Sequence, residues 1–332
     1  MLYIRADMNQ IIATGHIMRC LAIADAARET GEDTVFLLAD TQAVELLENR
    51  GYAYVVLNTP WNEMDKELET IKSIINEHNI KSLLIDSYQV TEKYLEELTK
   101  VTRTIYLDDL NAFHYPVDSI ICYANYYKKF AYEVNYPIDK LHLGLQYVPL
   151  RKEFQNCSPK EIKERVENLL LLSGGTDNYH VLRSLLESID IEEYRQIYVI
   201  CGKYNADYEM LKMKYQDHPN ISIHKAVTDM KRYMEQADLV ITAGGSTLYE
   251  LCAVGTPAIS YSFADNQLDN VRKFQEDGII DYAGDIRYDN VMGNVVSLMG
   301  KYMSNKMLCQ ERSAKMQKIV DGYGARRIVE II

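Results

Sequence analysis

Gly15 and His16 stand where a predicted loop meets the start of a predicted helix, and this position makes His16 a candidate general base. The helix dipole disfavours a positive charge near the first turn, so the imidazole is expected to be neutral there. A neutral imidazole can accept a proton at pH 7, as a general base must. A histidine that only forms a hydrogen bond at the loop is the alternative that remains open.

Other polar residues of the first half follow predicted strands or lie close to His16. Asp7 comes nine residues before His16 and could orient the imidazole, bind a sugar hydroxyl or cap the loop. Arg19 could contact a phosphate or lie on the helix surface. Tyr88 and the pair Asp108-Asp109 follow two later strands, and the two carboxylates could bind a hydroxylated substrate or cap their loop. The carboxyl ends of parallel strands share one edge of a sheet, so these side chains are expected to converge.

The second half contains the pattern of a phosphate-binding turn. The apolar run Leu239–Ala243 predicts a buried parallel strand, and Gly244–Ser246 joins it to a short helix that Gly255 can end. Glycines let the backbone approach a ligand, while free N–H groups and the helix dipole face an anion. Glu250, inside that helix, could reach a ribose. A purely structural tight turn is the alternative.

Two further polar segments follow strands in this half. The run Leu169–Leu172 leads into Ser173–Asp177, which contains a second Gly-Gly pair and precedes another helix. The run Ala258–Ser260 leads to a predicted polar turn with Asp265, Asn266 and Gln267. The second half therefore repeats the strand, Gly-Gly, helix unit and adds a polar loop beside it.

The composition excludes several classes of protein. The net charge is −12 and no dense Lys/Arg block is present, which argues against a nucleic-acid partner. The six cysteines contain no C-x-x-C pair, and P-loop, dinucleotide and D-x-D motifs are absent, so no metal and no cofactor are predicted. No apolar run has transmembrane length and the chain enters a strand at once, so a cytoplasmic protein is expected.

Strands alternate with helices along both halves, and this predicts an α/β protein with parallel sheets. A Tyr- and Pro-bearing stretch at 125–151 predicts a linker that ends near Phe154. The expected organisation is two tandem doubly wound Rossmann-like domains, at 1–150 and 155–320, with a C-terminal helix at 321–332. Such pairs of domains usually hold a ligand between them at the carboxyl ends of the strands, so an active site in an inter-domain cleft is expected.

Several motifs, in order over nearly the whole chain, resemble those of one family. They are Arg5-Ala6-Asp7, Thr14-Gly15-His16-Ile17-Met18-Arg19-Cys20, Asp108-Asp109, Ser173-Gly174-Gly175-Thr176-Asp177, Ala243-Gly244-Gly245-Ser246-Thr247-Leu248-Tyr249-Glu250-Leu251 and Ala264-Asp265-Asn266-Gln267. The sequence resembles the pseudaminic-acid pathway nucleotidases, which are UDP-2,4-diacetamido-2,4,6-trideoxy-β-L-altropyranose hydrolases. Spore-coat polysaccharide biosynthesis proteins are related to them.

The resemblance implies a GT-B fold like that of the MurG glycosyltransferase, with UDP held mainly by the C-terminal domain. It also implies a metal-independent UDP-sugar hydrolase of nonulosonic (pseudaminic-type) acid biosynthesis, in which water attacks the anomeric carbon and UDP and free sugar are released. The implied partners are the UDP-sugar and other enzymes of the same pathway. The family often has glycine at the position of Ala13, and alanine there excludes a backbone angle open only to glycine.

The resemblance also implies roles for individual residues. His16 would be the catalytic base, and Tyr88 and Asn266 would lie near the reaction centre. Glu250 would contact the ribose and Val227 the uracil. The remaining residues predicted to bind substrate or nucleotide, from either line of argument, are Asp7, Gly15, Arg19, Asp109, Gly174, Gly175, Gly244, Gly245, Ser246, Thr247, Asp265 and Gln267.

Three other functions are compatible with the same fold. An inverting glycosyltransferase would use His16 to deprotonate an acceptor hydroxyl instead of water. A nucleotide-sugar-binding protein would bind without catalysis, and a hydrolysing 2-epimerase would carry differently placed acidic residues. The first half shows no concentrated apolar or basic patch, which favours the hydrolase over a MurG-like transferase.

Overall fold

The computed structural model describes every residue from Met1 to Ile332, and the chain divides into two compact units. Unit 1 contains Met1–Gln155 and Gly322–Ile332, and unit 2 contains Asn156–Asp321. Each unit is built on one parallel sheet flanked by helices, as the alternation of strands and helices predicts. The predicted fold class is confirmed.

The sheet of unit 1 has seven parallel strands in the order β3-β2-β1-β4-β5-β6-β7. Leu2 and Ile4 of the first strand pack into one apolar cluster, whereas Tyr3 between them packs into another, because successive side chains of a strand point to opposite faces. The strands are β1 Leu2–Ala6, β2 Thr34–Leu38, β3 Ala53–Val56, β4 Ser82–Asp86, β5 Arg103–Leu107, β6 Ser119–Cys122 and β7 Leu141–Leu143.

The helices of unit 1 that precede residue 156 are α1 Gly15–Glu29, α2 Val44–Asn49, α3 Leu68–Glu77, α4 Glu92–Thr99 and α5 Tyr132–Asn135. The apolar side of α1 is fully buried against the cluster that contains Leu2 and Ile4. Helix α3 packs Ile71 and Ile75 into the cluster on the other side. Both faces of β1 are therefore covered, which explains why its five residues are all buried.

The stretch from Asn125 to Arg151 differs from its interpretation as a linker. It contains α5 and β7, and β7 pairs with β6 at the edge of the sheet of unit 1. Tyr132 and Tyr136 are buried in the same cluster as Tyr3. These two tyrosines thus serve as core residues of unit 1, whose first segment extends to Gln155.

The sheet of unit 2 has six parallel strands in the order β10-β9-β8-β11-β12-β13. The strands are β8 Asn168–Leu172, β9 Gln196–Cys201, β10 Ile221–Lys225, β11 Leu239–Ala243, β12 Ala258–Ser262 and β13 Asp281–Asp285. The chain order reverses between β8 and β11, which is the switch point where doubly wound sheets bind nucleotides. Both Gly-Gly pairs follow these two strands and therefore flank the switch point.

The helices of unit 2 are α6 Val181–Ser188, α7 Tyr208–Tyr215, α8 Met230–Gln236, α9 Thr247–Val254, α10 Asp265–Glu276, α11 Val291–Tyr302 and α12 Lys306–Ile319. Gly255 ends α9 in the left-handed region, with φ of 82°, as its type and position predict. The segment Asp265–Gln267, interpreted as a polar turn, is instead the first turn of α10. None of the helices of either unit is long and apolar enough to cross a membrane.

The last helix, α13 Gly324–Ile331, returns to unit 1 and packs against α1. Arg326 Nη2 of α13 donates a hydrogen bond of 2.6 Å to Glu29 at the end of α1. Ile328 is fully buried in the same apolar cluster as Leu2. The C-terminal helix expected at 321–332 is therefore an integral part of unit 1.

Candidate active site

The loop between β1 and α1 has a defined turn that delivers His16 to the first turn of α1. The side-chain oxygen of Asn9 accepts hydrogen bonds from the amides of Ile11, at 2.8 Å, and Ile12, at 2.9 Å. Asn9 also forms an isolated antiparallel bridge with Ala13, whose φ is 56°. Alanine tolerates this left-handed conformation at a cost of about 1 kcal/mol, so the loop can form without the glycine of the family pattern.

His16 forms a buried pair with Asp86, the last residue of β4. Nδ1 of His16 lies 2.6 Å from Oδ1 of Asp86, and the two residues are 7% and 0% exposed. Strand β4 lies next to β1, with Asp86 opposite Ala6, so the strand end faces the start of α1. An ionised carboxylate can only accept, so Nδ1 carries the hydrogen, and in the neutral ring Nε2 is then the nitrogen with the lone pair. This tautomer leaves Nε2 available as a base.

Asp86 is held in its ionised form by its neighbours. Arg19 donates from Nε to Oδ2 at 2.6 Å and from Nη2 to Oδ1, and the Cys20 thiol lies 3.3 Å from Oδ2. Burial acts to raise the pKa of Asp86, but the charge of Arg19 and the hydrogen bonds from Arg19 and His16 outweigh it and hold the pKa well below its ordinary value. The pairing of Asp86 with His16 was not predicted from the sequence.

Arg19 extends the same network to the ends of two more strands. Its Nη1 donates to the hydroxyl of Tyr123 at 2.6 Å, just after β6, and lies 3.4 Å from Oδ2 of Asp109, just after β5. The side chain is only 12% exposed. Each nitrogen of the guanidinium therefore has a partner within unit 1. The predicted contact with a phosphate remains untested.

Tyr88 and Asp109, two of the predicted site residues, lie against this network. The Tyr88 hydroxyl donates to Oδ2 of Asp109 at 3.0 Å, and the Tyr88 ring meets the His16 ring edge-on with centroids 4.6 Å apart. Oδ1 of Asp109 is buried without a hydrogen-bond partner. A substrate hydroxyl or amide could satisfy this oxygen, since a buried acceptor without a partner is costly.

Asp108, the neighbour of Asp109, caps its loop, which was the alternative to substrate binding for this pair of carboxylates. Its carboxylate accepts from the amides of Leu110 and Asn111, at 3.1 and 2.9 Å, and from the hydroxyls of Tyr115 and Tyr132. It is 2% exposed. Asp108 therefore caps the loop after β5, whereas Asp109 faces the His16 network.

Asp7 does not orient His16, contrary to one of the interpretations above. Its carboxylate accepts from Arg5 Nη1 at 2.6 Å and from the Ala39 amide at 2.8 Å. Arg5 is fully buried and also forms two hydrogen bonds to Glu67, from Nε at 2.7 Å and from Nη2 at 2.8 Å. The reason is local, because a buried arginine on β1 needs carboxylates at close range. Asp86 takes the orienting role instead.

In unit 2, the turn before α9 is the place where the sequence predicts an anion site. The amides of Gly244 and Gly245 bond to Tyr261 and Ala243, at 2.8 and 2.9 Å, and Leu248 is the first helical amide that bonds back, to Gly245. Ser246 is exposed and its side chain makes no capping hydrogen bond. The N–H groups that open α9 are thus left to solvent or to a ligand.

The other Gly-Gly pair belongs to a helix whose N-terminus is already occupied. The Asp177 carboxylate accepts from the amides of Val181 and Leu182, at 2.8 and 3.1 Å, where α6 begins. A Cβ on Gly202 would lie 2.1 Å from the carbonyl oxygen of Gly174, so the backbones pack directly together. A carboxylate at this helix end disfavours a second anion. Phosphate binding by Gly174 and Gly175 therefore remains a prediction, and the first two amides of α6 are already bonded to Asp177.

The remaining predicted residues of unit 2 lie near the same edge of the sheet. Glu250 is half-buried in the first turn of α9, and Asn266 is exposed in the first turn of α10. The Asp265 carboxylate accepts from Arg287 at 2.6 Å, and the Gln267 side chain accepts from the Phe263 amide at 3.0 Å. The others are half-buried or exposed: Gly15 and Arg19 in unit 1, and Val227 and Thr247 in unit 2. Their roles in binding remain predictions.

The two glycines before α9 are expected to respond differently to substitution. A Cβ on Gly244 would lie 2.2 Å from Cγ1 of Val271, whereas one on Gly245 would meet no atom within 4 Å. We expect Gly244→Ala to lower the free energy of unfolding by about 1–3 kcal/mol through overpacking. We expect Gly245→Ala to keep the wild-type stability but to weaken the predicted binding of UDP, because the added methyl group would occupy the space predicted for a phosphate. Urea denaturation and calorimetry measure the two effects.

An equal loss of stability in both variants would contradict this account of the turn. Unchanged UDP affinity in Gly245→Ala would show that no phosphate lies at this glycine. Gly300→Ala is a matched control, because a Cβ there also meets nothing within 4 Å and the residue lies in the last turn of α11, away from the turn before α9.

Comparison with known proteins shows the fold of the chain and finds a family model that matches most of its second unit. Residues 169–322 match the model of the glycosyltransferase family 28 C-terminal domain, so the match lies almost entirely within unit 2. The crystal structure of MurG from Acinetobacter baumannii superposes with a TM-score of 0.72 and 13% identity, covering 100% of this chain and 99% of MurG. The chain therefore has the GT-B fold of MurG.

Two curated relatives are similar over part of their length. Spore coat polysaccharide biosynthesis protein SpsG of Bacillus subtilis is 25% identical over 200 residues, which are 58% of this chain and 58% of SpsG. An uncharacterised protein of Methanocaldococcus jannaschii is 24% identical over 270 residues, which are 76% of this chain and 54% of that protein. The matched part thus spans little more than half the length of these relatives.

Proposed function

We propose that this chain is an enzyme that acts on a UDP-linked sugar, with UDP bound by unit 2 and the general base supplied by His16 of unit 1. The observation that carries the proposal is the buried pair of His16 and Asp86, which are 2.6 Å apart at Nδ1 and Oδ1. The pair fixes the tautomer in which Nε2 can accept a proton. An imidazole held in this way by a buried carboxylate is typical of a catalytic base.

The proposal for the nucleotide rests on unit 2. Its match to the glycosyltransferase family 28 C-terminal domain supports a nucleotide-sugar ligand. The uncapped N-terminus of α9, beside the switch point of the sheet, supplies donors for a diphosphate. Glu250, in the first turn of this helix, is the proposed partner of the ribose hydroxyls. The backbone donors also stabilise the negative charge that develops on UDP as it leaves.

Transfer of the sugar to an acceptor hydroxyl is the reaction that we propose first, because the family model and the MurG-like fold both belong to glycosyltransferases. In this reaction Nε2 of His16 takes the hydroxyl proton as the acceptor oxygen attacks the anomeric carbon. The bond between that carbon and the diphosphate oxygen breaks, and UDP leaves. Attack opposite to the leaving group inverts the anomeric centre.

Hydrolysis is the second candidate, and one feature of the site favours it. His16 is only 7% exposed and the Tyr88 ring packs against the imidazole with centroids 4.6 Å apart, so water reaches the imidazole more easily than a bulky acceptor. The motifs shared with the pseudaminic-acid pathway nucleotidases, and the similarity to SpsG, point the same way. The proposed substrate for this reaction is a UDP-linked 2,4-diacetamido-2,4,6-trideoxyhexose, and Asp109 would accept from one of its donor groups.

Analysis of the sugar product separates the two reactions. The protein is incubated with a panel of UDP-linked hexoses and diacetamido-trideoxyhexoses, with and without a mixture of acceptor alcohols, and both UDP and free sugar are quantified. UDP release that depends on an acceptor supports transfer. Equal amounts of UDP and free sugar without acceptor support hydrolysis. Absence of UDP release under every condition would overturn the proposal of an enzyme.

A further inference from the structure

We propose that Arg19 is a positioning residue that keeps His16 neutral, and that it does this by sharing the carboxylate of Asp86. This inference rests on the proposed role of His16 as a base. It assigns Arg19 to the proton chemistry of unit 1 rather than to a phosphate. Two observations carry it, namely the pattern of hydrogen bonds around Asp86 and the distance between the guanidinium and the imidazole.

A buried carboxylate next to an imidazole presents a problem for a base. If His16 were the only partner of Asp86, the carboxylate 2.6 Å from Nδ1 would strongly stabilise the imidazolium, because both groups are buried. An imidazolium already carries a proton on Nε2 and cannot accept another. The carboxylate that orients His16 would therefore also disable it at neutral pH unless its charge were balanced.

Arg19 provides that balance through a forked contact. Its Nε donates to Oδ2 of Asp86 at 2.6 Å, and its Nη2 donates to Oδ1, the same oxygen that accepts from His16. A two-pronged pair of this kind neutralises the carboxylate more effectively than one hydrogen bond. Oδ1 of Asp86 still accepts from the imidazole, so the orientation of His16 is retained while its protonation is no longer favoured.

Arg19 also acts on His16 directly. Its Nη2 lies 3.1 Å from Nδ1 of His16. This contact is not a hydrogen bond, because both nitrogens carry hydrogens that point to Asp86. It places a fixed positive charge beside the imidazole and opposes a second positive charge there.

The other titratable groups around the imidazole do not replace this effect. They are Cys20 on α1, Tyr88 after β4, Asp109 after β5 and Tyr123 after β6. Burial raises the pKa of the Cys20 thiol and of both tyrosines, so these groups are neutral at pH 7. Asp109 is negative and is itself paired with Arg19. Without Arg19, the carboxylates of Asp86 and Asp109 would both lose this cation as a partner.

The position of Arg19 explains why one residue can do this. It follows His16 by three residues and so lies on the same side of α1. From there its guanidinium contacts groups at the ends of β4, β5 and β6. These contacts use four of the five N–H donors of the guanidinium, so a phosphate bound by Arg19 would compete with partners inside unit 1.

Titration of His16 by NMR tests the inference without any need for turnover. Protein with ¹³C- and ¹⁵N-labelled histidine is titrated as wild type, Arg19→Met and Arg19→Lys, and His16→Gln identifies the resonance. We expect the wild type to show the Nδ1–H tautomer at pH 7. We expect the titration midpoint of His16 to lie at higher pH in Arg19→Met than in the wild type, because the Asp86 carboxylate then lacks the guanidinium. Arg19→Lys retains a charge but not the fork, so its midpoint should lie between.

Calorimetric titration with UDP on the same variants separates this role from a phosphate contact. We expect UDP affinity to change by less than about twofold in Arg19→Met, since a group that makes no contact with UDP carries no binding energy. The inference would be overturned if His16 titrated with the same midpoint in Arg19→Met as in the wild type. A tenfold loss of UDP affinity in Arg19→Met would also overturn it. If Arg19→Met does not fold, the same two outcomes are read from Arg19→Lys.

The outcome for Arg19 can be distinguished from the outcome for the proposed function. A shift of the His16 midpoint in a protein that releases no UDP from any UDP-sugar would support the electrostatic role of Arg19 and refute the enzyme. In an active enzyme, the acid limb of the pH profile of kcat should move to higher pH together with the NMR midpoint.

Discussion

Replacement of His16 by alanine is expected to lower the turnover of the UDP-sugar by about 10²–10⁴-fold, which is the usual contribution of a general base. The reason is that Nε2, the only nitrogen of the imidazole that is not engaged with Asp86, is lost. Affinity for UDP should not change, because the residues proposed to bind UDP all belong to unit 2. Steady-state kinetics and calorimetric titration with UDP provide the two measurements.

His180 offers a matched control for this variant. It forms the same type of pair, with Nδ1 2.6 Å from Oδ2 of Asp207, but its side chain is 49% exposed and it lies in unit 2. His180→Ala is expected to leave turnover within about twofold of the wild type, because a surface pair of this kind contributes little. Wild-type turnover in His16→Ala would refute the assignment of the base.

Replacement of Glu67 by glutamine is expected to have the largest effect on stability, a loss of about 3–5 kcal/mol in the free energy of unfolding. Glu67 and Arg5 are both fully buried and joined by two hydrogen bonds, and the Tyr94 hydroxyl donates to the same carboxylate at 2.6 Å. Glutamine keeps the volume but removes the charge, so the buried guanidinium retains only Asp7 as a counter-charge. Urea denaturation monitored by circular dichroism measures the change.

The exposed pair of Glu63 and Lys66 is the control for this prediction. Its side chains are 48% and 60% exposed, and the residues lie on the same short turn that ends with Glu67. Glu63→Gln should cost less than about 0.5 kcal/mol, since water screens exposed ion pairs. If Glu67→Gln cost no more than Glu63→Gln, the buried network would not stabilise unit 1 in the way described.

The parts of the fold that could be predicted from the sequence are those with a strong local pattern. Apolar runs such as Leu169–Leu172 and Leu239–Ala243 become central strands, because only a strand buried on both faces suits an unbroken apolar run. Strand β7 was missed because its three residues include His142 and are all only half-buried. The start of α10 was missed because Asp265–Gln267 is polar throughout and has the composition of a turn.

The candidate site depends on pairings that no local pattern contains. His16 and Asp86 are 70 residues apart, and they meet because β4 lies beside β1 in the sheet. Once that strand order is known, a carboxylate at the end of β4 is the natural partner for a histidine that opens α1. The ion pair of Arg5 and Glu67 had no signal at all, since charged residues at fully buried positions contradict the pattern from which strands and helices are predicted.

The two Gly-Gly pairs illustrate how similar sequences acquire different roles. Both follow a central strand of unit 2 and precede a helix, so the sequence pattern predicts the same role for both. In the structure the two pairs differ. The Asp177 carboxylate accepts from an amide at the N-terminus of α6, whereas the Ser246 side chain makes no capping hydrogen bond at the N-terminus of α9. A carboxylate two residues after Gly-Gly is therefore the sequence signal that separates a filled helix end from one that can hold an anion.

Calorimetric titration of the wild-type protein with UDP and with UMP tests the central claim most directly, because it does not require the sugar to be known. The account predicts that one UDP binds per chain and that UMP binds roughly tenfold or more weakly, since the second phosphate contacts the amides that open α9. Gly245→Ala should reduce the difference between the two nucleotides. Absence of UDP binding, or equal affinities for UDP and UMP, would contradict the assignment of unit 2 as a site for the diphosphate of a UDP-sugar.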